Sequence, residues 1–336
     1  MLILVDAMGG DNAPLEIVKG CIDAINENND FDIMLIGDQD KINAIIKENG
    51  FKNDRLKVFH TTDVITNEDS PVKAIKSKKN SSMVVGLNMI KEKKGDVFLS
   101  AGNTGALMAG SLFILGRIKG VERPSLMAFL PSSKGLSVLV DAGANVNCKP
   151  TNLLQFGVMG SLYVSEVFGI ESPRVGIINV GAEEKKGNDL VKMAYPMLKE
   201  AHINFVGNIE GRQILDGDAD VVVCDGFVGN VLLKSMEGAA GYFIGSLKDI
   251  FNKNILTKLA ALIVKNDLKK FKKDLDYTEY GGVPMLGVNG KVIKSHGSSN
   301  AKAIKNAIIR AKSYVNSTVL EQIREEFKNM EVEDIE

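Results

Sequence analysis

Residues 96–107 read Asp96-Val-Phe-Leu-Ser-Ala-Gly-Asn-Thr-Gly-Ala-Leu107. An apolar run passes into a turn with glycines at 102 and 105, and apolar residues at helical spacing follow from Leu107 to Gly116. The stretch predicts a strand, a tight turn and a helix start. Gly102 and Gly105 let the backbone bend without a Cβ, Asn103 and Thr104 offer side-chain hydrogen bonds, and the amides of a first helical turn have no partner within the helix. Such a turn suits an anion. By itself it reads as an ordinary strand-to-helix connection in which Asn103 or Thr104 caps the helix. Repetition changes the reading. Asp6-Ala-Met-Gly-Gly-Asp-Asn-Ala-Pro14, Asp141-Ala-Gly-Ala-Asn-Val-Asn147 and Asp225-Gly-Phe-Val-Gly-Asn230 also follow apolar runs. In a parallel sheet such turns share one edge, where ligands collect.

The 336 residues are 45% apolar, enough to bury a large core as one α/β unit or two lobes. A formal net charge of -1 supplies no basic field, so no nucleic-acid partner is expected. Cys21, Cys148 and Cys224 are odd in number, widely spaced and set among apolar residues, as reduced core thiols of a cytoplasmic protein are. No CxxC or HExxH pattern points to a metal, and no apolar run reaches the ~18 residues needed to span a bilayer. Met1-Leu-Ile-Leu-Val5 begins as a strand rather than as a targeting segment. A soluble cytoplasmic protein is the expectation.

Along the chain, Leu2–Val5, the polar turn Asp6–Pro14 and the helical spacing of Leu15–Ile25 make a first βα unit. Phe31–Ile36 and Lys41–Asn49 make a second, and Leu56–His60 is a third strand. Residues 61–82, with Lys73, Lys76, Lys78 and Lys79, read as a solvated helix and loop. Met83–Lys93 predicts the helix that leads into the opening stretch. Ser125–Leu130 and Leu136–Val140 predict antiparallel strands joined by Pro131-Ser-Ser-Lys-Gly135. A helix over Leu153–Phe168, a strand over Val175–Val180, a short strand Asn204–Val206 that ends in a turn Gly207-Asn-Ile-Glu-Gly-Arg212, and a strand Ala219–Cys224 continue an α/β rhythm, read as a single domain over 1–336. Residues 231–275 form a helical excursion, Val231–Leu247 followed by the lysine-rich amphipathic stretch Phe251–Lys273. Tyr277–Val288, Asn289-Gly290 and Lys291–Ser295 predict a hairpin with a two-residue turn. A last helix runs from Ala301 to about Phe327, and an acidic tail over 328–336 is expected to fray.

Neither GxxxxGK[ST] nor a GxGxxG after the first strand occurs, so a nucleotide is not indicated, and no GxSxG elbow is present. Of three histidines, His60 closes a strand and His202 ends a helix. His296 stands where a strand meets glycine and a helix start, a place for catalysis, ligand contact or scaffolding. Lys185 and Lys186 directly follow a predicted strand and turn, and one of them is a candidate anion ligand. Turn amides, Asn and Thr side chains and a few lysines suit an oxyanion, phosphate especially. Phosphate is already an anionic nucleophile at neutral pH, so its attack on an activated acyl group needs placement and charge balance more than a strong base. A thioester fits, because a thiol of pKa about 8.5 leaves readily.

The set of four turns above, with Asn179-Val-Gly-Ala-Glu-Glu-Lys-Lys-Gly-Asn188, Gly207-Asn-Ile-Glu-Gly211 and Ser295-His-Gly297, resembles the PlsX family, the bacterial phosphate acyltransferases of phospholipid synthesis. The seven motifs keep the same order from residue 1 to about 315. The resemblance implies transfer of a fatty acyl group from acyl carrier protein to inorganic phosphate, with no cofactor. It also implies a homodimer and a three-layer αβα sandwich with a mostly parallel sheet, related to phosphotransacetylases and isocitrate-type dehydrogenases. The acyl phosphate would pass to a membrane glycerol-3-phosphate acyltransferase. A short-chain phosphotransacetylase using coenzyme A and a non-catalytic binder of acidic ligands or carrier protein are the alternative readings.

On that resemblance, Gly102, Asn103, Thr104 and Gly105 bind phosphate, and Lys186 and Asn230 balance charge or hold the thioester oxygen, with His296 as a further catalytic candidate. Asp6, Asp141 and Asp225 orient the turns, since carboxylates facing bound phosphate would repel it. Gly9, Gly10, Asp11, Asn145, Asn179, Gly181 and Gly226 complete the substrate-binding turns. Ile255, Leu256, Leu259, Leu262 and Ile263 share one stripe of a helical wheel with Lys258 and Lys265 beside it. That is the pattern of reversible contact with the inner face of the cell membrane, and it would equally serve packing in a core or dimer.

Overall fold

Short β-branched and leucine-rich runs bounded by Gly, Asn and Asp form the strands, and the inner ones are buried on both faces, as parallel strands covered by helices must be. The structure, a computed structural model, describes residues 1–275 and 279–333. The chain opens with β1 (Leu2–Asp6), α1 (Leu15–Glu27), β2 (Asp32–Gly37), α2 (Gln39–Glu48) and β3 (Leu56–His60). The helices α3 (Pro71–Ser77) and α4 (Ser82–Lys91) lead to β4 (Val97–Ser100) and α5 (Thr104–Gly110), which tightens into a π-helical turn over Ser111–Leu115. An antiparallel pair follows, β5 (Ser125–Ser132) and β6 (Gly135–Val140), then α6 (Pro150–Phe168), β7 (Arg174–Asn179), α7 (Asp189–Glu200), β8 (Asn204–Glu210), α8 (Gly211–Asp216) and β9 (Val221–Val223). Three consecutive helices, α9 (Gly226–Asn252), α10 (Ile255–Ile263) and α11 (Lys265–Leu275), precede β10 (Gly282–Leu286), β11 (Val292–Ser295), α12 (Ala301–Asn316) and α13 (Val319–Glu333).

All strands join one sheet in the order β3-β2-β1-β4-β11-β10-β5-β6-β9-β7-β8. Neighbours run parallel except at β11–β10, β10–β5 and β5–β6. Alternation along β1 divides the core. Ile3 and Val5 join the layer under α1, α6, α7, α12 and α13, whereas Leu4 faces the layer under α3, α4 and α5. A smaller core on that second side packs Ala128, Leu130, Leu139 and Val222 against Ile214 of α8 and Leu232, Leu233 and Met236 of α9. The result is a three-layer αβα sandwich with a mostly parallel sheet.

α9 is anchored over its amino-terminal part, where Gly226 and Gly229 are buried and Leu232, Leu233 and Met236 pack on the smaller core. A side chain at Gly229 would collide with the Asp141 carbonyl, so this helix start lies directly on the Asp141 turn. Beyond Met236 the helices stand out from the sheet with Tyr242 72% and Phe243 57% exposed, and α10 buries no residue. The helix that carries the excursion thus begins at Gly226, five residues before Val231, and stays on the sheet core as far as Met236.

Several expectations change. Asn289-Gly290 does not make a two-residue hairpin: β10 and β11 pair from Met285–Val292 outward, with 287–291 as the connection. Gly287 takes a positive φ of 88°, Val288 bridges Arg117, and the Asn289 side chain donates to the Arg117 carbonyl at 2.7 Å, so the segment is drawn aside to pair with 116–117. Residues 277 and 278, the expected start of that strand, lie outside the described residues. Gly207-Asn-Ile-Glu is not a turn but the second half of β8, after an irregularity that lets Gly176 skip Val206 and pair with Gly207. The last helix is broken at 317–318, where the Thr318 hydroxyl donates to Glu166 at 2.7 Å. The acidic tail is helical as far as Glu333, and 334–336 lie outside the described residues. The helix predicted over Leu107–Gly116 begins at Thr104.

Candidate active site

The four Gly-rich turns gather in pairs at one edge of the sheet. In the first pair, Asp6 at the end of β1 is buried and accepts from the Ser82 hydroxyl at 2.6 Å and the Ser100 hydroxyl at 2.7 Å. The Gly102 amide donates to Ser100 Oγ at 3.0 Å. Gly9 lies so close to the second turn that a Cβ there would sit 2.8 Å from the Gly102 nitrogen. Burial pushes the Asp6 carboxyl up, against the downward pull of the hydroxyl and backbone donors around it. In the second pair, Asp141 accepts from the amides of Leu126 at 2.9 Å, Ala144 at 3.2 Å and Asn145 at 2.6 Å. Asn145 is buried, donates through Nδ2 to the Pro124 carbonyl, and accepts at its own carbonyl from the Gly226 amide at 2.7 Å. Asp225 caps α9 by accepting from Phe227 N and Val228 N, each at 2.9 Å.

Between the pairs lies a cavity of about 330 Å³. Thr104, Gly143, Asn230, Lys234 and residues 294–297 form its polar side, and Leu126 to Phe129, Leu233 and Tyr280 to Val283 its largely apolar side. Gly143 and Asn230 touch directly, since a Cβ on Gly143 would meet Asn230 Cβ at 3.3 Å.

Lys294 dominates this space. It is 8% exposed at the centre of the sheet, flanked in register by Ser100 of β4 and Val283 of β10. Its ammonium donates to the Ala101 carbonyl at 3.4 Å and to the Ser295 carbonyl. Burial lowers its pKa to about 8, with Asp6 and Asp11 working against that and Lys234 adding to it. His296 follows. Its Nε2 lies 2.8 Å from Lys234 Nζ and its Nδ1 2.8 Å from the Ser298 hydroxyl, and burial, then Lys234, lowers its pKa. Lys234 is also paired with Glu237 at 2.7 Å.

Of the residues expected from sequence, Thr104, Asn230 and His296 line the cavity. Asn103 faces other duties: Oδ1 accepts from Ala106 N at 2.9 Å as the α5 cap, and Nδ2 donates to the carbonyls of Thr66 and Asn67. Gly105 packs against Pro71, and Asp11 is exposed, accepting from Asn67 Nδ2 at 3.2 Å while its amide donates to the Gly297 carbonyl. Gly10, with φ 108°, nests between Ala101 and that Gly297 carbonyl. Asn179 at the end of β7 and Gly181 and Lys186 on the loop after it lie elsewhere, since β9 separates β7 from β6. There Asn179 Nδ2 donates to the Lys186 carbonyl at 3.0 Å, Gly181 is buried and the Lys186 side chain is exposed.

Sequence reasoning passed over Lys294, Lys234 and Glu237. A signal existed in Lys291-Val-Ile-Lys-Ser295, where a lysine interrupts an apolar strand just before His296, because lysine is seldom buried without a function. Lys234 was visible only as the residue one helical turn beyond Asn230. Among the described residues no group of three or more His, Cys, Asp or Glu side chains is placed to hold a metal, and no helix is long and apolar enough to cross a membrane.

The model of the family described as fatty acid synthesis protein matches residues 1–322. The chain is 57% identical over 336 residues to a phosphate acyltransferase of Acetivibrio thermocellus, covering all of this chain and 99% of that protein. Among solved structures, a phosphotransacetylase from Streptococcus pyogenes superposes with a TM-score of 0.60 at 15% identity, covering 94% of each chain. A branched-chain phosphotransacylase from Enterococcus faecalis gives 0.59 at 15% identity over 94% of this chain and all of that one. At such identity the two solved structures speak to the fold alone.

Proposed function

Because the chain belongs to the fatty acid synthesis protein family, the PlsX family that its seven motifs resemble, we propose that it is a phosphate acyltransferase that moves a fatty acyl group from acyl carrier protein to inorganic phosphate. The observation that supports this reading on the chain's own geometry is Lys294, a buried ammonium at the junction of a polar and an apolar cavity wall. A phosphate oxygen attacks the thioester carbonyl, and the tetrahedral intermediate carries its charge beside that ammonium and the Thr104 hydroxyl. Collapse breaks the C–S bond and leaves a C–O–P anhydride. The proton carried by hydrogen phosphate ends on the departing thiolate, so hydrogen phosphate and thioester give acyl phosphate and thiol. Asn230, on the cavity wall, orients the carbonyl. Lys186, exposed on the loop after β7 with β9 and β6 between it and β5, stays outside this cavity.

Two copies pair through the outstanding helices, a reading supported by the exposed Tyr242, Phe243 and Ile250 of α9. α10 then rests reversibly on the inner face of the cell membrane, from which the acyl phosphate passes to a membrane glycerol-3-phosphate acyltransferase. Exposures of 75% for Ile255, 73% for Leu256 and 85% for Ile263 support that contact.

The test is incubation with phosphate and palmitoyl acyl carrier protein, followed by trapping with hydroxylamine. Hydroxamate that requires phosphate and forms without nucleotide or divalent metal is expected. Thioester loss at an undiminished rate in phosphate-free buffer would make the protein a hydrolase, and a preference for acetyl coenzyme A would make it a short-chain phosphotransacetylase.

A further inference from the structure

β10 and β5 are paired at only two positions, Met285–Leu126 and Leu286–Ser125. Continued in the same antiparallel register, Val283 would face Ala128 and Gly282 would face Phe129. Instead the two strands part, and these four residues line the cavity. Each strand is held on its far side. β11 fixes β10 through Gly282–Ser295 and Val283–Lys294, and β6 fixes β5 from Met127–Val140 to Ser132–Gly135. Neither can swing across without breaking an established ladder, so the fork is built into the sheet.

The chemistry of the fork is graded. At one end Lys294 stands directly opposite Val283, and opposed residues in an antiparallel pair bring their Cβ atoms to about 5 Å. Beyond this pair the walls are Met127, Ala128, Leu233 and Tyr280. The aromatic end is stiff: the rings of Phe129 and Tyr280 lie 6.0 Å apart, and the Arg310 guanidinium stacks on both, 4.5 Å and 5.6 Å from their centroids. An ammonium on one part of the wall and apolar residues over the rest fit a molecule with a polar reacting head and an alkyl tail.

We propose that the fork between β5 and β10 seats the alkyl chain of the acyl donor, with the thioester carbonyl at Lys294 and the methyl end toward Phe129 and Tyr280, so that the fork sets the chain length used. This inference rests on the reading of the protein as a phosphate acyltransferase and adds to it a place for the tail.

The experiment measures kcat/KM of the full chain for a series of acyl carrier protein thioesters from butyryl to palmitoyl, in the wild type and in Leu233→Phe. Leu233 is half-buried on α9 outside the sheet, so that variant keeps the fold. Each methylene that is seated is worth about fourfold. A phenyl ring that displaces three methylenes therefore lowers the palmitoyl-to-butyryl ratio of kcat/KM by roughly fiftyfold. A uniform fall across the series, or an unaltered palmitoyl-to-butyryl ratio in folded Leu233→Phe, overturns the proposal while acyl phosphate formation by the wild type stands. Absence of acyl phosphate from the wild type with every donor overturns the parent reading and this one with it.

Discussion

The ammonium of Lys234 on α9 lies 2.8 Å from Nε2 of His296 at the end of β11, so a helix and a strand meet across the cavity through a cation and an imidazole. Burial and then this neighbouring charge hold His296 below its ordinary pKa, which leaves the ring neutral near pH 7. Lys234→Met removes the repulsion but not the burial. The His296 midpoint should rise in that variant, and with three histidines in the chain the imidazole resonances are assignable by substitution and NMR titration. An unmoved midpoint would take Lys234 out of the causes and leave burial and the Lys294 charge to account for the lowering.

Lys294→Met should lower turnover by roughly 100-fold or more, the usual loss when a donor to a developing oxyanion is removed. Folding should not suffer, since a buried charge gives way to an apolar chain of similar length. The pH dependences have opposite signs. Activity needs the ammonium and should fall as pH rises through about 8. In the folded state the lysine loses its proton at lower pH than in the unfolded chain, so its cost to folding is full below about 8 and fades above it. The melting-temperature advantage of Lys294→Met should therefore shrink as the pH is raised, which calorimetry at neutral and alkaline pH can check.

Asn103 and Thr104 are adjacent but should fail differently. Asn103→Ala removes a helix cap worth about 1 kcal/mol and a tie to the loop at 66–67, so a lower melting temperature is expected. Thr104→Val leaves the cap in place and takes away a hydroxyl on the cavity wall. Its expected signature is an apparent phosphate KM about tenfold higher at unchanged stability, because a lost hydrogen bond to a charged group costs roughly 1.5 to 3 kcal/mol. Equal phosphate dependence in wild type and Thr104→Val would remove that hydroxyl from the anion site.

On α10, Leu259 is 54% exposed within an unburied apolar stripe. Wild-type protein should sediment with anionic liposomes, less so at high salt, and Leu259→Glu should abolish sedimentation while activity on soluble substrates and the mass in solution persist. Dissociation of a dimer by Leu259→Glu would assign the stripe to subunit packing instead.

Much of this was legible beforehand because the signals are local. The turns at Asp6, Ser100, Asp141 and Asp225 carry their glycines and polar caps within a few residues, and the apolar runs before them are strands by length and composition. What escaped depends on partners distant in sequence. Asn289-Gly290 has the composition of a tight hairpin, yet it is recruited by Arg117, 172 residues away. Lys294 looked like one charge among many until the register set it between Ser100 and Val283. Gly207 resembled a turn because glycine supplies positive φ, and here it does so inside a strand, at φ 92° beside the skipped Val206.

The placing of β10 and β11 has a consequence for biosynthesis. These strands come from residues 282–295 yet occupy the middle of the sheet, between β4 and β5. While the nascent chain lacks them, the amino-terminal strands end at a bare β4 edge and the central strands at a bare β5 edge, both rich in apolar side chains and open to pairing with other polypeptides. A ribosome must therefore deliver nearly the whole message before the two halves can be sutured. A product truncated ahead of residue 282 would lack Lys294 as well as the suture, so prematurely terminated chains should be inactive, prone to aggregate and readily cleared by proteases.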